Sequence, residues 1–385
     1  MSMQHSKRMS ISTSLLKMWR FARIYGPSRA LFKAAGRLRR PVRLVWKTAR
    51  TRDVAIIGCG QFAFSTIGYF LCKQFGARIA VCLDPSETAA ASFAITYGVP
   101  QIATSFDAIL QNPEVRFVYI ASNHASHSDY AVRALRAGKT VYVEKPVSVS
   151  TEQFNRLRSE VSKSSGEIFA GYNRPYAGAI RKIVSELAEP KGALSLTCFV
   201  SGHLIGRDHW YRRPEEGTRI CGNAGHWIDL FVHLLGRRSI PDHFEIALLP
   251  ALPIEADDNF ALNIRTSEGD LFSLVLSSRA EPFEGINETI NLQWESLIAK
   301  IDDFRQVTMW REEKVKRWRF WPKDVGHKNA VLQPFSTTPL RSWKEVEIST
   351  LIMLRIAEMA KGGQQSASLS VSAHFPPVAH AEETS

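Results

Sequence analysis

The stretch that decides the fold reads Val54-Ala55-Ile56-Ile57-Gly58-Cys59-Gly60-Gln61-Phe62-Ala63. Four apolar residues suit a buried strand, and the glycines that follow at once end it in a tight turn. G-x-G-x-x-A between a strand and a helix is the spacing of a dinucleotide-binding turn. The first glycine permits the turn, the second lets a pyrophosphate approach the backbone, and the small third residue lets helix and strand pack closely. Gly58, Gly60, Gln61, Phe62 and Ala63 are therefore assigned to a cofactor, whose phosphates would face the free N–H groups of the helix N-terminus. Asp84 ends the next apolar run, Ile79–Leu83, and stands 24 residues after Gly60. A carboxylate there accepts both ribose hydroxyls of NAD and repels the 2′-phosphate of NADP. Pro85 and Ser86 follow it, with no adjacent Lys or Arg for that phosphate. NAD is the expected cofactor. The competing use of Asp84 is to cap the helix that starts near Ser86.

Working outward, further apolar runs occur at Phe117–Ala121, Val141–Val143 and Ile168–Ala170. Helical patterns at Ser86–Tyr97, Asp129–Ala137 and Thr151–Val161 separate them. Strands alternating with helices predict a doubly wound parallel sheet, a Rossmann domain over residues 53–174. Beyond it the rhythm changes. Helices are predicted at Gly178–Leu187, Gly225–Leu235 and Ser342–Met359, and a loop over Ser201–Gly222. Alternating strands are predicted at Phe260–Arg265, Leu271–Ser277, Glu288–Trp294, Leu297–Ile301 and Val307–Trp310. Glu268-Gly269-Asp270 is a hairpin turn between the first two. Residues 175–361 thus read as an α+β domain with a largely antiparallel sheet. Residues 362–385 read as a disordered Ser, Ala and Pro rich tail.

The net charge of +12 is concentrated at one end. Residues 1–52 hold fourteen Lys or Arg and no acid, and the remaining 35 basic and 37 acidic residues net to −2. This extension interleaves Trp19, Phe21, Tyr25, Phe32 and Trp46 with its cations, in one or two short helices broken near Gly26-Pro27 and Pro41. Such a stretch suits packing on the body or on a second copy in a homo-oligomer. It also suits an anionic membrane surface, while no module for specific nucleic-acid binding is present. With the first strand starting near Asp53, removal of residues 1–50 is expected to leave the Rossmann domain folded. No apolar run reaches the ~20 residues that span a bilayer. Cys59, Cys72, Cys82, Cys198 and Cys221 are odd in number and form no CxxC pair, which fits reduced thiols. The expected location is the cytoplasm, or the inner face of the membrane.

Ser122-Asn123-His124-Ala125-Ser126-His127 and Glu144-Lys145-Pro146 both follow strands, at the end where open α/β sheets bind ligands. Glu144-Lys145-Pro146, with Gly171-Tyr172-Asn173-Arg174 about 25 residues later, resembles the Gfo/Idh/MocA family, the relatives of glucose–fructose oxidoreductase and inositol dehydrogenase. The resemblance runs from about residue 53 to residue 360. It implies that Lys145 sits near the nicotinamide and the reacting hydroxyl, that the bond before Pro146 is cis, and that Asn123, His127, Glu144 and Pro146 flank the cofactor. The family's second-domain signature is D-x-x-x-H-x-x-D on a helix. Here Gly222-Asn223-Ala224-Gly225-His226-Trp227-Ile228-Asp229 supplies His226 and Asp229, with Gly222 in place of the first Asp. Asn223 beside it can hydrogen-bond but cannot act as a base, so His226 must work alone or find a carboxylate such as Asp208 or Glu215.

A histidine suits removal of a hydroxyl proton, and a lysine ammonium stabilises charge developing on the oxygen. Lys145 and His226 are the expected catalytic pair. Tyr172, Asn173, Arg174, Trp210, Asn223 and Asp229 are expected at the substrate. The polar and aromatic loop from His203 to Arg213 suits a sugar or nucleotide sugar. No metal is expected. The reading is an NAD-dependent oxidoreductase for a sugar hydroxyl or ketone, set in surface-polysaccharide synthesis. A redox-assisted glycosidase and a non-catalytic NAD(H)-binding regulator are the alternatives.

Overall fold

The computed structural model describes residues 11–187, 189–206, 208–252, 257–282, 284–337 and 340–375. A six-stranded parallel sheet forms from β1 (Val54–Ile57), β2 (Ile79–Leu83), β3 (Gln101–Ile102), β4 (Phe117–Ile120), β5 (Thr140–Val143) and β6 (Ile168–Ala170). Its order is β3-β2-β1-β4-β5-β6, so the chain reverses direction across the sheet beside β1. That reversal leaves a crevice at the carboxyl ends of β1 and β4, where such sheets take ligands. The sheet is covered on both sides, which is why β1 and β4 are buried at every residue.

The second sheet has nine strands, in the order β14-β13-β12-β11-β7-β10-β9-β8-β15. They are β7 (Leu194–Ser201), β8 (His243–Pro250), β9 (Phe260–Thr266), β10 (Leu271–Ser277), β11 (Asn287–Trp294), β12 (Leu297–Asp302), β13 (Gln306–Arg311), β14 (Lys314–Arg319) and β15 (Ser366–Ser370). All pairs are antiparallel except β7 with β10. Strand β7 alternates buried and exposed residues, so one face is covered and the other is open. Helix α9 (Gly225–Leu235) is buried at all eleven residues, packed against β7 and against α11 (Trp343–Gly362). A helix buried on every side has no solvent face to offer, and its burial fixes where His226 can point.

One expectation changes. Ser366–Ser370 lies in the segment read as a disordered tail, yet it pairs antiparallel with β8 and buries Leu369. An open sheet edge supplies the backbone partners that composition alone does not reveal. Residues 376–385 lie outside the described residues, as do 1–10. The basic extension packs on the body, one of the placements its composition suits. Its helices α1 (Ile11–Tyr25) and α2 (Pro27–Leu38), broken at Gly26, form a hairpin on the body. Phe32 is 1% exposed, among Phe64, Tyr69, Tyr97 and Trp46. The amide of Val42 and the indole N–H of Trp46 donate to Thr96, and Ala77 N–H donates to Lys47 O. The extension is thus part of the core around the first Rossmann helix, and its loss uncovers apolar surface. Its outer face still exposes Leu15, Leu16, Met18 and Trp19. Among the described residues no helix is long and apolar enough to cross a membrane.

Candidate active site

Backbone geometry builds the cofactor end of the crevice. Gly58 has φ 87°, and a Cβ there would lie 2.5 Å from Ala121 O, so only glycine fits between β1 and the end of β4. A Cβ at Gly60 would meet nothing within 4 Å, so its backbone faces open space. Gln61 is exposed, Phe62 half-buried and Ala63 buried where the helix starts. Asp84 does not cap the next helix, α4 (Glu87–Tyr97). That cap is Ser86, whose hydroxyl accepts from Ala89 N–H. The Asp84 carboxylate instead accepts from Cys59 N–H at 2.6 Å and Ser86 N–H at 2.7 Å, which pins it beside the glycine turn. Two backbone donors leave lone pairs on both oxygens for further hydroxyls. Arg39, from the extension, donates to the Ser86 hydroxyl. A cation absent from the local sequence around Asp84 is therefore present in space.

At the other end, Lys145 follows β5, and its peptide bond to Pro146 is cis. Its Nζ donates to Gly222 O at 2.8 Å. Burial lowers its pKa to about 8, against the opposing pull of Glu144. Glu144 is itself buried, accepts from the Tyr142 hydroxyl at 2.6 Å, and has its carboxyl pushed up by burial. His127 lies with its ring between Pro146 O (2.8 Å) and Ser122 O (3.1 Å). Burial lowers its pKa to about 4, so the ring is neutral and only one of these contacts is a hydrogen bond. It positions the Lys145-Pro146 turn from beneath. Asn123 donates to Glu216 at 2.8 Å, and Trp210 packs edge-on against His124. The loop between β7 and α9 thereby closes onto the first domain.

Gly222 and Asn223 lie in a wide helical turn, Ile220–Ala224, that runs directly into α9. His226 follows one turn later, 8% exposed, with the Tyr172 ring edge-on at 6.0 Å. Its Nδ1 finds no hydrogen-bond partner among the described residues. Burial, reinforced by Arg174 and Lys145, holds its pKa well below the usual histidine value. Four expected substrate residues have internal partners in this structure. Asp229 is fully buried, paired through both oxygens with Arg341 (2.6 and 2.8 Å) and accepting from Ser349. It ties α9 to α11. Arg174 pairs with Glu288 at 3.0 Å over the Trp227 ring, and Asn173 bonds Val325 O and Arg174. The Tyr172 hydroxyl donates to Met353 Sδ at 3.6 Å. The Tyr172-Asn173-Arg174 stretch is thus a buried joint between the domains rather than an entrance, because each polar group already has an internal partner. Asp208 and Glu215 are exposed, whereas the neighbouring Glu216 is buried on Asn123 and the Ala125 amide. His327, stacked edge-on with Phe62 at 5.5 Å, also reaches this region. Nothing local in sequence marks Glu216 or His327.

Residues 52–172 match the family described as "Oxidoreductase family, NAD-binding Rossmann fold". An oxidoreductase P35 of Formosa agariphila is 33% identical over 192 residues, covering 47% of this chain and 60% of that protein. An inositol 2-dehydrogenase 2 of Saccharopolyspora erythraea is 25% identical, covering 49% of this chain and 56% of its own length. The chain therefore spans little more than half the length of these curated relatives. In overall fold it is similar to a levoglucosan dehydrogenase solved with NADH and L-sorbose. That likeness has a TM-score of 0.68 at 15% identity and covers 83% of this chain and 99% of the other.

Proposed function

Because this chain belongs to the Gfo/Idh/MocA oxidoreductase family, we propose that it is an NAD-dependent dehydrogenase or reductase for a hydroxyl or ketone of a sugar or nucleotide sugar. The observation that carries this reading is His226 Nδ1, buried without a partner one helical turn from the carbonyl that Lys145 holds. A buried polar atom left unpaired is costly, and a substrate hydroxyl would satisfy it. The residues at the other end fit a dinucleotide. Gly58 permits the turn, the open side of Gly60 admits phosphates, and the Asp84 carboxylate is held at the end of β2 for the ribose. NAD supplies the hydride acceptor or donor. His226, kept neutral by burial, takes the hydroxyl proton, and the Lys145 ammonium holds the reacting oxygen as charge develops on it. Trp210, 38% exposed, and the exposed Arg213 lie on the loop above, suited to the sugar face and phosphates of a nucleotide sugar. Nucleotide sugars feed surface polysaccharides, which is the setting we propose.

Lys145→Ala and His226→Ala test the reading with NAD+ and a panel of sugars and UDP-sugars. Turnover should fall by roughly 10²–10⁴, while NAD affinity stays within a few-fold. The losses should be non-additive, since both groups act on one transition state. Full activity in Lys145→Ala overturns the catalytic pair. A wild-type protein that binds NAD but turns over nothing in the panel points to an NAD(H)-binding regulator.

A further inference from the structure

The family signature places an aspartate one turn before the histidine, where this chain has Gly222. The glycine does not leave a hole. A Cβ built on Gly222 would lie 1.8 Å from Tyr211 Oη and 2.2 Å from its Cζ. Those distances are impossible for real atoms, so the phenol end of Tyr211 stands where a side chain at 222 would begin. Tyr211 reaches this place from the loop between β7 and α9, within a short turn, Trp210–Arg212. That turn is anchored from several sides. Arg212 donates to Ile205 O at 3.0 Å and pairs with Asp258, and the Tyr211 ring meets His124 edge-on at 4.9 Å. The hydroxyl is aimed as well as placed, since it donates to Asn223 Oδ1 at 2.9 Å. Lys145 Nζ donates to the neighbouring Gly222 O at 2.8 Å. Residues 222 and 226 are four apart and share a helix face. The phenol, the ammonium and the unpartnered imidazole therefore gather on one stretch of helix.

We propose that Tyr211 is a third catalytic group, its hydroxyl taking over the position that the aspartate side chain holds in relatives and turning its one proton from Asn223 Oδ1 to the reacting oxygen when substrate binds. The proposal rests on the dehydrogenase reading above. In the oxidation direction the carbinol O–H bond breaks with its proton going to His226. The adjacent C–H bond breaks with its electron pair going to NAD+. Tyr211 keeps its own proton throughout and steadies the oxygen beside Lys145. Burial raises the phenol pKa, so the group is a donor at neutral pH and not a base. A carboxylate at 222 could accept a proton, whereas this arrangement cannot, so the base is left to His226.

Four variants test this with NAD+ and myo-inositol, glucose and UDP-N-acetylglucosamine as probes: Tyr211→Phe, Gly222→Asp, Tyr211→Ala, and Tyr211→Ala with Gly222→Asp. Tyr211→Phe keeps the ring and should lower kcat by roughly 10–100-fold, the scale of one lost oxygen-stabilising donor, with KM and NAD affinity within about twofold. Gly222→Asp alone should lower Tm and abolish activity, because the new side chain collides with the phenol. Combined with Tyr211→Ala, the same aspartate has room, so Tm should recover and kcat should exceed that of Tyr211→Ala. Wild-type kcat in Tyr211→Phe overturns the proposal. So does a Gly222→Asp penalty that is the same with and without Tyr211. A wild type that reduces NAD+ with none of the probes overturns the dehydrogenase reading and this catalytic role with it. The melting comparison then still decides whether Tyr211 fills position 222, so the two failures are told apart.

Discussion

The two ends of the crevice are built by different means. At the cofactor end, the turn is made by backbone conformation within Gly58–Ala63, and Asp84 is pinned to that turn by two amide hydrogen bonds. At the proposed substrate end, Lys145, Tyr211 and His226 come from three separate segments and converge on residues 222–226 only through tertiary packing. Local backbone geometry tolerates little change in residue type, so it is written in short motifs. A site assembled from side chains can exchange one supplier for another, as a loop tyrosine for a helix aspartate, provided the atoms arrive at the same place. The extension complicates the contrast, because it makes the locally written end depend on Phe32 and Arg39 from upstream.

The largest effect that would break this contrast lies in the extension. Phe32→Ala removes a fully buried ring and should cost ~3–5 kcal/mol, read as a lower urea midpoint, with weaker NAD binding because the helix behind the glycine turn loses its backing. A truncation to residues 51–385 with unchanged stability would show that the cofactor end is self-sufficient after all. Next in size is cofactor choice. NAD should bind at least tenfold tighter than NADP, and Asp84→Ser should narrow that ratio by about tenfold, ~1.4 kcal/mol. Adding Arg39→Ala in that background should restore part of the preference by removing the cation beside Ser86. Fluorescence titration with both dinucleotides measures this, and a ratio indifferent to Asp84 would remove the carboxylate from the ribose. The smallest effect is on pH dependence. Lys145, lowered to about 8, is charged below that pH and neutral above it. Since the ammonium is the active form, kcat/KM should be halved near pH 8 and then fall about tenfold per unit. His226, held well below its usual value, should add no limb above pH 7. A profile flat to pH 9.5 would take Lys145 out of the rate.

The cofactor end could be read in advance because period and spacing are local properties. Val54–Ile57, Gly58, Gly60 and Asp84 needed no partner elsewhere in the chain to be interpreted. Strand β7 escaped notice because eight alternating residues lie directly before a long loop, and β15 because its partner β8 is more than a hundred residues away. Tyr172, Asn173, Arg174 and Asp229 were placed at the substrate by resemblance. Their real surroundings depend on Met353, Val325, Glu288 and Arg341, which no local pattern connects to them. The extension was legible only in part. Alternating aromatics and cations describe a helix with one greasy face, but not what that face meets. Gly222 could be seen as a missing acid, while its replacement by Tyr211 required the fold.

The hairpin of α1 and α2 also fastens one lobe to the other. Trp321 Nε1 donates to Arg23 O and Lys323 N–H to Ile24 O, both at 2.8 Å, and Lys17 pairs with Glu281. A residue later in the same hairpin, Arg29, donates to Thr66 on the first Rossmann helix at 3.1 Å. A dinucleotide bound between two lobes leaves by their parting, and here parting must either strip these bonds or swing the hairpin with one side. The consequence is kinetic. On the dehydrogenase reading proposed above, a dinucleotide held between braced lobes should dissociate more slowly than from an unbraced pair.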